Sequence, residues 1–423
     1  MIGLAAMQEG GFVAPSRWND YYEGAARLDA LGVSLPPNVR ILERTAAFPK
    51  LAVDVLAEAL TPEGFTLDED EDTPRLLRRW WQANDLDTVV HLGIVEALVE
   101  GRTFFTVGNG RADAPRITAH SPAGFEVQYD HMGDIRHARR RYLLGDAQRE
   151  AEYLPGKTVH SRYEDGEWKV ERTDHHDAER PAVVQMVNRA RLGDVNGRSE
   201  IAELLGVTDA ASRTLTNLQV AQELLAMPVR YIFGKGLEAL KDQNGNPVDK
   251  MQAYFGRYLT GPEGADAGQL PGASLQEFHN TYKLYAQEVS AQTGIPPSML
   301  GISTDNPSSA EAMRVAKERL ISKAETKQAM FGDALEDLAR LALEFEGVEP
   351  GGLDTLKLHW RDPALPSASA KAMNMLQAHS QGVLSAETAR DGLGLSPAQK
   401  ARENARSGAD LRASRQLGNM EAP

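Results

Sequence analysis

The sequence predicts a protein of the mixed α+β class, in which helices and an antiparallel sheet occupy different parts of the chain. Apolar residues recur at helical spacing in the first hundred residues, alternate with polar residues between Thr103 and Val187, and return to helical spacing afterwards. With 423 residues, of which 42% are hydrophobic, the chain is long enough for two or three domains with substantial cores.

Residues 15–60 are predicted to be helical. Two apolar stripes support this, one made by Trp18, Tyr22, Ala25 and Leu28 and one extending from Val39 to Leu60, with Pro62 and Gly64 closing the segment. Two further helices follow the acidic run at 68–72. The first covers PRLLRRWWQAN, with Thr73 as N-cap and Pro74 at its first position, and the second runs from Thr88 to Glu100 and ends at Gly101.

A meander of antiparallel hairpins is predicted next, because the period drops toward two and Asn-Gly, Met-Gly-Asp and Asp-Gly turns separate the segments. The predicted strands are TFFTV, ITAHS, FEVQYD, IRHARRRYLL, EAEYL, TVHSRYED and WKVERT.

Two helices and a long third helix follow the sheet. The first covers 208–227 and is closed by Pro228, and the second covers 273–294 and ends at Gly294. Between them, VRYIFG predicts a strand within a compact insert. After the irregular loop ISTDNPSS, a capping box of Ser308 and Glu311 predicts the start of a helix of more than thirty residues. LKLHW is then a strand whose partner must be distant in sequence, and Ala-rich helical pieces fill 366–418.

The charge balance limits the classes of partner. The net charge of −14 predicts no whole-surface attraction to nucleic acid, although DNA as a passing partner stays open. The chain has no cysteine, which excludes disulfides and thiolate metal sites. The first residues lack a basic signal-peptide region, and the most apolar run, Val89–Val99, is interrupted by His91 and Glu96. We therefore expect a soluble, non-secreted protein without a membrane partner.

Motifs for chemistry are mostly absent, so we predict no enzyme and no catalytic, cofactor or metal site. Gly156-Lys157-Thr158 lacks the Gly-rich run of a phosphate loop, and Gly108-Asn109-Gly110 is predicted to be a hairpin turn. His175, His176 and Asp177 are predicted to form a solvated loop rather than a metal site. The run Asp68–Asp72 lacks the glycine and the spaced ligands of a calcium loop, so a solvated turn is favoured.

Two other clusters are interpreted as structural. The arginines 136, 139, 140 and 141 are conceivable DNA contacts, but on a strand their side chains divide between two faces, which favours salt bridges. Trp80 and Trp81 lie on an amphipathic helix, where core and interface packing is favoured over a ligand cage.

An ordered series of segments resembles the portal proteins of tailed bacteriophages, of the siphophage type. The resemblance covers roughly residues 10–345, and the series is more specific than any single segment. The segments are Gly64-Phe65, WWQANDL, EALVEGRTFFTVG, SPAGFEVQYD, PAVVQMVNR, GRSEI, DAASRTLTNLQVAQELLAMPVRYIFG, TGIPPSMLG and NPSSAEAM.

The resemblance implies a homo-oligomeric ring of about twelve subunits at one vertex of the viral capsid, assembled in the host cytoplasm. It implies that double-stranded DNA passes through the central channel without sequence specificity during packaging and ejection. The implied protein partners are the large terminase, head-tail adaptor proteins, the major capsid protein and a scaffold. The resemblance also implies no cofactor.

Portal subunits are divided into wing, stem, clip and crown, and the resemblance implies the following division. Residues 1–206 and 309–365 are expected to form the wing, 207–228 and 273–294 the two stem helices, 229–272 the clip, 295–308 the tunnel loop, and 366–423 the crown with the C-terminal tail.

Two sets of site residues follow from this division. Ser303, Thr304, Asp305 and Asn306 are expected at the tip of the loop that faces the DNA channel. The clip residues Lys235, Lys241, Lys250 and Arg257 are expected to form a docking surface, with an ordinary solvated region as the alternative. The alternative functions are another phage head structural protein and, less favoured, a packaging-associated enzyme, which would need clustered carboxylates or a phosphate loop.

Overall fold

The computed structural model describes residues 16–28, 42–68, 70, 72–110, 114–194, 196–226, 230–233, 266–269, 275–302, 310–364, 368–386 and 389. The chain divides into two compact units. The first comprises Met1–Pro307 and Arg319–Arg361, and the second comprises Ser308–Glu318 and Asp362–Pro423. Helices and antiparallel strands occupy different stretches of the chain, so the predicted α+β class is confirmed.

The first two helices are shorter than predicted. Helix α1, Arg17–Tyr22, is capped by Ser16, whose hydroxyl accepts the Asn19 N–H at 3.2 Å. It ends before Gly24, whose φ of +67° is outside the helical region, so the predicted continuation to Leu28 is wrong. Helix α2, Phe48–Glu58, begins with a proline in its first turn, and residues 43–47 are not helical.

Residues Pro62–Thr66 form strand β1 and correct the prediction that Pro62 and Gly64 only close a helix. This strand pairs antiparallel with β12, Lys357–Trp360. The LKLHW strand therefore has a partner almost three hundred residues away, as the sequence predicted. The apolar and polar residues of this five-residue segment do not predict strand β1 by themselves. The strand depends on its partner β12, which lies far along the chain.

Helices α3, Asp72–Ala83, and α4, Leu86–Glu100, follow β1. Asp70, not Thr73, caps α3, because its carboxylate accepts the N–H groups of Asp72 and Thr73 at 2.8 and 3.2 Å. Gly101 ends α4 with a φ of +90°, as predicted.

The hairpins form two sheets. Strand β2, Arg102–Gly108, is central to a three-stranded sheet with β3, Arg116–His120, and β9, Val183–Val187. A five-stranded meander runs in chain order. Its strands are β4, Phe125–Tyr129, β5, Ile135–Leu144, β6, Ala147–Leu154, β7, Lys157–Glu164, and β8, Glu167–His175.

Strand β2 is buried on both faces and joins two clusters of core residues. Phe105 belongs to the larger cluster, which also holds the apolar faces of α2 and α4. Phe104 belongs to a smaller cluster in which it stacks on Phe125 with the ring centroids 4.4 Å apart. Side chains alternate across a strand, so successive phenylalanines serve opposite layers.

The remaining elements agree with the predicted order and add one strand. They are α5, Leu205–Ala226, β10, Arg230–Phe233, β11, Asp266–Gln269, α6, Gln276–Thr293, α7, Ala310–Phe345, and α8, Ala368–Ser380. Strand β11 pairs antiparallel with β10 and was not predicted from its short, Gly-containing sequence. The predicted capping box of Ser308 and Glu311 lies outside the described side chains, so it stays a prediction.

The long helix α7 buries an extended apolar stripe in the first unit. Leu320, Ala324, Phe331, Leu335 and Leu338 are all at most 8% exposed, as their helical spacing predicted. In the second unit, α8 ends at a turn in which the Val383 N–H donates to the Ala378 carbonyl at 3.0 Å. Among the described helices, none combines the length and the apolar content of a membrane span.

Gly93 lets α4 approach β2 closely. A Cβ atom at Gly93 would lie 2.5 Å from Cζ of Phe105, whose ring is fully buried. We expect Gly93→Ala to lower the free energy of unfolding by about 1–3 kcal/mol through overpacking.

Gly206→Ala is the matched control, because Gly206 lies in the first turn of α5, where an added Cβ atom would meet nothing within 4 Å. It should leave stability unchanged or raise it by up to about 1 kcal/mol. Urea denaturation of both variants measures the difference, and equal midpoints would contradict the close α4–β2 contact.

Candidate functional site

The predicted site residues lie outside the described residues. This applies to Ser303, Thr304, Asp305 and Asn306 in the loop, and to Lys235, Lys241, Lys250 and Arg257 in the insert. Their roles stay predictions. The structure does describe the chain on both sides of the loop, from α6 to Ile302 and from Ala310 along α7.

Helix α6 ends in a turn that is held by side-chain hydrogen bonds. Gly294 has a φ of +79°, and its N–H donates to the Ser290 carbonyl at 2.9 Å. The Ser290 hydroxyl donates to the Ile295 carbonyl at 2.6 Å, and the Ile295 N–H donates to Oγ1 of Thr293 at 3.2 Å. The chain direction after α6 is therefore fixed by local contacts.

A short 3₁₀ helix, Pro297–Leu300, connects this turn to the loop. Gly301 follows it with a φ of +75°, and the Ile302 N–H donates to the Pro297 carbonyl at 3.1 Å. Ile295, Leu300 and Ile302 are all buried in the main core. The chain is thus anchored by three apolar side chains up to the residue where the predicted loop tip begins.

A buried ion cluster holds α7 within the first unit. The ammonium groups of Lys323 and Lys327 both contact the carboxylate of Glu200, with 3.3 Å between Nζ of Lys327 and the carboxylate. Lys327 also donates to the side-chain oxygen of Asn188, whose amide nitrogen donates to Glu200 at 3.3 Å. The Glu200 side chain is only 12% exposed and that of Lys327 only 8%, so each charge depends on the other.

Backbone contacts hold Asn188 and Glu200 in place. The Asn188 N–H donates to the Gly101 carbonyl at 2.8 Å, and the Glu200 N–H donates to the Leu98 carbonyl at 2.8 Å. Gly197 makes this close approach possible, since it has a φ of +80° and a Cβ there would lie 1.8 Å from the Gly101 oxygen. The glycine and the glutamate of the GRSEI segment therefore have separate structural roles.

The cluster shifts the pKa of Glu200. Burial by itself raises the pKa of this carboxyl, but the nearby Lys323 and Lys327 ammonium groups, with the hydrogen bonds from Lys323 and Asn188, lower it below its usual 4.5. Glu200 is thus a carboxylate that stabilises the folded state at neutral pH.

Two more ion networks hold the C-terminal half of α7. Nη1 and Nε of Arg180 contact Asp337 at 2.7 Å and Glu344 at 3.0 Å. Burial lowers the pKa of Arg180, and these two carboxylates outweigh it, so the net shift is upward. On the side facing β12, Glu336 accepts the Leu358 N–H at 3.0 Å and contacts Lys357 at 3.2 Å.

A groove of about 1020 Å³ runs along α7 beside the turn at 130–134. Two of its carboxylates, Asp337 and Glu344, are already paired with Arg180, and Asp130 accepts the N–H groups of its own turn. Among the described residues, no three His, Cys, Asp or Glu side chains are grouped so that they could hold a metal ion. The ion pairs along this groove hold α7 in position.

Two of the four arginines in the cluster, Arg139 and Arg141, form salt bridges, as predicted. Arg139 and Arg141 lie on one face of β5 and contact Glu126 and Glu150, with 2.8 Å between Nε of Arg141 and Glu150. Arg140 points to the other face, where its guanidinium lies 4.5 Å from the Tyr142 ring centroid.

The two tryptophans also agree with the structural interpretation. Trp80 is buried in the main core. Trp81 is partly buried, and its indole N–H donates to Asp87 at 2.8 Å. Gly156 lies in the turn between β6 and β7, and Lys157 and Thr158 begin strand β7 rather than a helix, so the structure agrees that this is not a phosphate loop.

The prediction of a solvated loop at 175–177 is wrong for the two histidines, because His175 is the last residue of β8 and His176 is half-buried. His176 stacks on Phe345 with the ring centroids 4.7 Å apart, and burial lowers its pKa. The Asp177 N–H donates to the Phe345 carbonyl at 3.5 Å. This loop therefore packs against the end of α7, a contact that no local pattern in the sequence indicates.

Sequence reasoning missed the residues that anchor α7. Arg319, Lys323 and Lys327 recur every four residues, which places three cations on one helix face in an acidic chain. That spacing was an available signal. Asn188 and Glu200 lie in two of the segments on which the resemblance was based, but their contact with Lys327 depends on tertiary structure.

Comparison with known proteins defines the class. The family model described as "Phage portal protein, SPP1 Gp6-like" matches residues 16–402. The portal protein of Mycobacterium phage D29 is 35% identical over 400 residues, which are 90% of this chain and 82% of the relative. The portal protein of Mycobacterium phage L5 is 34% identical over 394 residues, covering 89% of this chain and 81% of the relative.

Solved structures give a looser likeness. A chain in "Neck of native GTA particle computed with C12 symmetry" has a TM-score of 0.47 and 16% identity, with 86% of this chain and 95% of that chain covered. A chain in "Virion of native gene transfer agent (GTA) particle" has a TM-score of 0.46 and 17% identity, with 88% and 98% covered.

The family match and the two relatives define a structural protein of a phage particle. The chain belongs to the phage portal protein family, of the SPP1 Gp6-like type. It is thus a virion component at the capsid, and the predicted family is confirmed.

Glu200→Gln tests the anchor of α7. The variant leaves Lys327 buried without its carboxylate, so we expect the free energy of unfolding to fall by about 3 kcal/mol near neutral pH. Because the folded-state pKa of Glu200 is lowered, its contribution is present above 4.5 and is lost as the pH falls through the folded-state value. The difference between wild type and variant should therefore shrink in acid.

Glu203→Gln is the matched control, because Glu203 is 68% exposed and pairs with the surface residue Arg198. It should change stability by less than about 0.5 kcal/mol at any pH. Chemical denaturation at several pH values measures both variants. A Glu200→Gln variant as stable as the control would show that the cluster does not anchor α7.

Proposed function

We propose that this portal protein forms a closed ring of about twelve subunits at one capsid vertex, through which double-stranded DNA is packaged and ejected. Family membership over residues 16–402 is the observation that carries this proposal. The ring is proposed to assemble in the host cytoplasm and to become part of the capsid with the major capsid protein and a scaffold. The division into wing, stem, clip, tunnel loop and crown given by the resemblance is part of the same proposal.

Within the ring, Ser303, Thr304, Asp305 and Asn306 are proposed to face the channel. The chain that leads into the loop is anchored, because Ile302 is buried in the core. The polar and acidic residues of the loop would not hold phosphates, whereas a lysine-rich loop would bind DNA phosphates and have to release them again at every step.

The clip is proposed to be the docking surface for the large terminase during packaging and for a head-tail adaptor afterwards. Lys235, Lys241, Lys250 and Arg257 supply positive charge in an otherwise acidic chain. Surface charges are suited to a site where one partner replaces another, because they raise association rates and add only modest affinity.

Negative-stain electron microscopy and mass photometry of the purified chain test the ring. The expected result is closed rings with a central hole and a mass of about twelve subunits. A monomer at all protein concentrations, or open shells and sheets, would contradict the proposal and favour another head structural protein.

Asp305→Lys tests the position of the loop. We expect rings of normal mass, because the substitution lies in the loop, but DNA packaging slowed at least about threefold at low salt, since the new cation contacts phosphates. Higher salt should reduce the defect. Asp305→Asn, which only removes the charge, is the control and should have a smaller effect. Packaging at the wild-type rate at every salt concentration would place the loop away from the DNA.

A further inference from the structure

We propose that the groove between β9 and α7 binds an extended, cation-bearing segment of a partner protein, which adds a fourth strand to the sheet of β3, β2 and β9. The proposal goes beyond the proposed function, whose docking surface is the clip, and it does not depend on ring formation. The residues that line the groove are all described and all belong to the first unit. They come from β9 and its neighbours in the chain, from α7, and from the hairpin of β4 and β5.

The outer edge of β9 carries backbone groups without partners. The Val107 N–H donates to the Ala182 carbonyl at 3.0 Å, and hydrogen-bonded and non-hydrogen-bonded pairs alternate from there along β2 and β9. In this alternation, Gln185 and Val187 point their N–H and C=O groups away from β2. No described residue hydrogen-bonds to these four groups, and both residues line the groove.

The side chains of β9 do not protect this edge. Edge strands are commonly kept from pairing with other chains by charged residues, prolines or bulges. Strand β8, the outer strand of the meander, carries Glu167, Lys169, Glu171 and Arg172, whereas Val183–Val187 carries no charge and no proline, and its pairing with β2 has no bulge. An edge of this kind, beside a groove, is suited to the addition of a strand by an extended peptide.

A buried donor beside the edge is also without a partner. Oε1 of Gln185 accepts the Tyr129 hydroxyl, whereas its Nε2 is buried and has no acceptor among the described residues. A buried donor that stays unpaired destabilises the folded state, so such groups are rare in native proteins. An added segment brings backbone carbonyl acceptors to this part of the groove.

The groove is negative, which selects the charge of its occupant. Five carboxylates and three arginines line it. Asp337 and Glu344 are paired with Arg180, but Asp333 is exposed and has no ion-pair partner among the described residues, so it is available to a cation. A negative groove in a chain of net charge −14 repels both DNA phosphates and a second copy of the chain, which favours a segment of a different protein.

The two walls of the groove indicate the side chains of that segment. Side chains alternate across a strand, so an added strand presents them in turn to α7 and to the hairpin of β4 and β5. The α7 wall offers Asp333, which fits a lysine or arginine. The hairpin wall offers Ile135 and Met132, and Met132 is 75% exposed, as an adaptable contact for an apolar side chain. The expected segment therefore alternates cations with apolar residues.

The first experiment measures the fluorescence anisotropy of a labelled synthetic peptide of alternating valine and lysine with the full-length protein. Wild type should bind it, and Asp333→Lys should raise the Kd at least about tenfold, because repulsion replaces attraction. Glu325→Lys is the matched control and should bind like wild type, since Glu325 is an exposed residue of α7 that does not line the groove. The same peptide with N-methylated backbone nitrogens should bind wild type at least about tenfold more weakly, because it cannot donate to β9.

The second experiment locates the occupant. The chain has no cysteine, so Met132→Cys provides one site for a photoreactive benzophenone maleimide. The label should cross-link to the valine-lysine peptide, and in phage particles that carry the variant it should cross-link to a lysine- or arginine-bearing segment of a different protein, identified by mass spectrometry. Val170→Cys is the control and should not cross-link to the peptide, since Val170 is 64% exposed on the charged outer strand β8.

Equal binding of the valine-lysine peptide by wild type and Asp333→Lys, no binding by wild type, or equal binding of the N-methylated peptide would overturn the proposal. So would an equal effect of Glu325→Lys, or a label at position 132 that joins a second copy, its own chain or nothing in the particle. Failure of the proposed function is a separate result, because peptide binding reports on the groove in any oligomeric state.

Discussion

The contact of the buried Lys327 with Glu200 and Asn188 is the constraint on which the position of the long helix depends. Apolar packing is dense and resists movement of a helix, but it is not directional. A buried cation cannot slide without losing its carboxylate, at a cost of several kcal/mol. The cluster therefore fixes the register of α7, and the other two ion networks extend this to its C-terminal half.

Two different physical effects fix the described chain near the predicted loop. The chain before the loop is fixed by the turn at Gly294 and by buried Ile302, and α7 is fixed within the first unit through Glu200. The chain before the loop is held by burial of apolar side chains, whereas α7 is held by ion pairs. Salt and pH act mainly on the second anchor, so the two are separable by experiment.

Much of the fold was predictable because its signals are local. The turn at Asp165-Gly166, where both residues have positive φ, and the end of α6 at Gly294 follow from single residues. Strand β1 was missed because its partner β12 lies far along the chain, and the packing of His176 on Phe345 has no local signal. The family was predictable from the ordered segments.

The anchors of the site were not predicted, although the four-residue spacing from Arg319 to Lys327 was visible. Spacing shows that three cations share a helix face, but only the tertiary structure shows that one faces a carbonyl and two face a carboxylate. A cryo-electron microscopy map of the assembled particle at side-chain resolution tests the account most directly. It should show Lys327 on Glu200 in every subunit with residues 303–309 lining the bore. The same residues on the outer rim, or Lys327 turned away from Glu200, would contradict it.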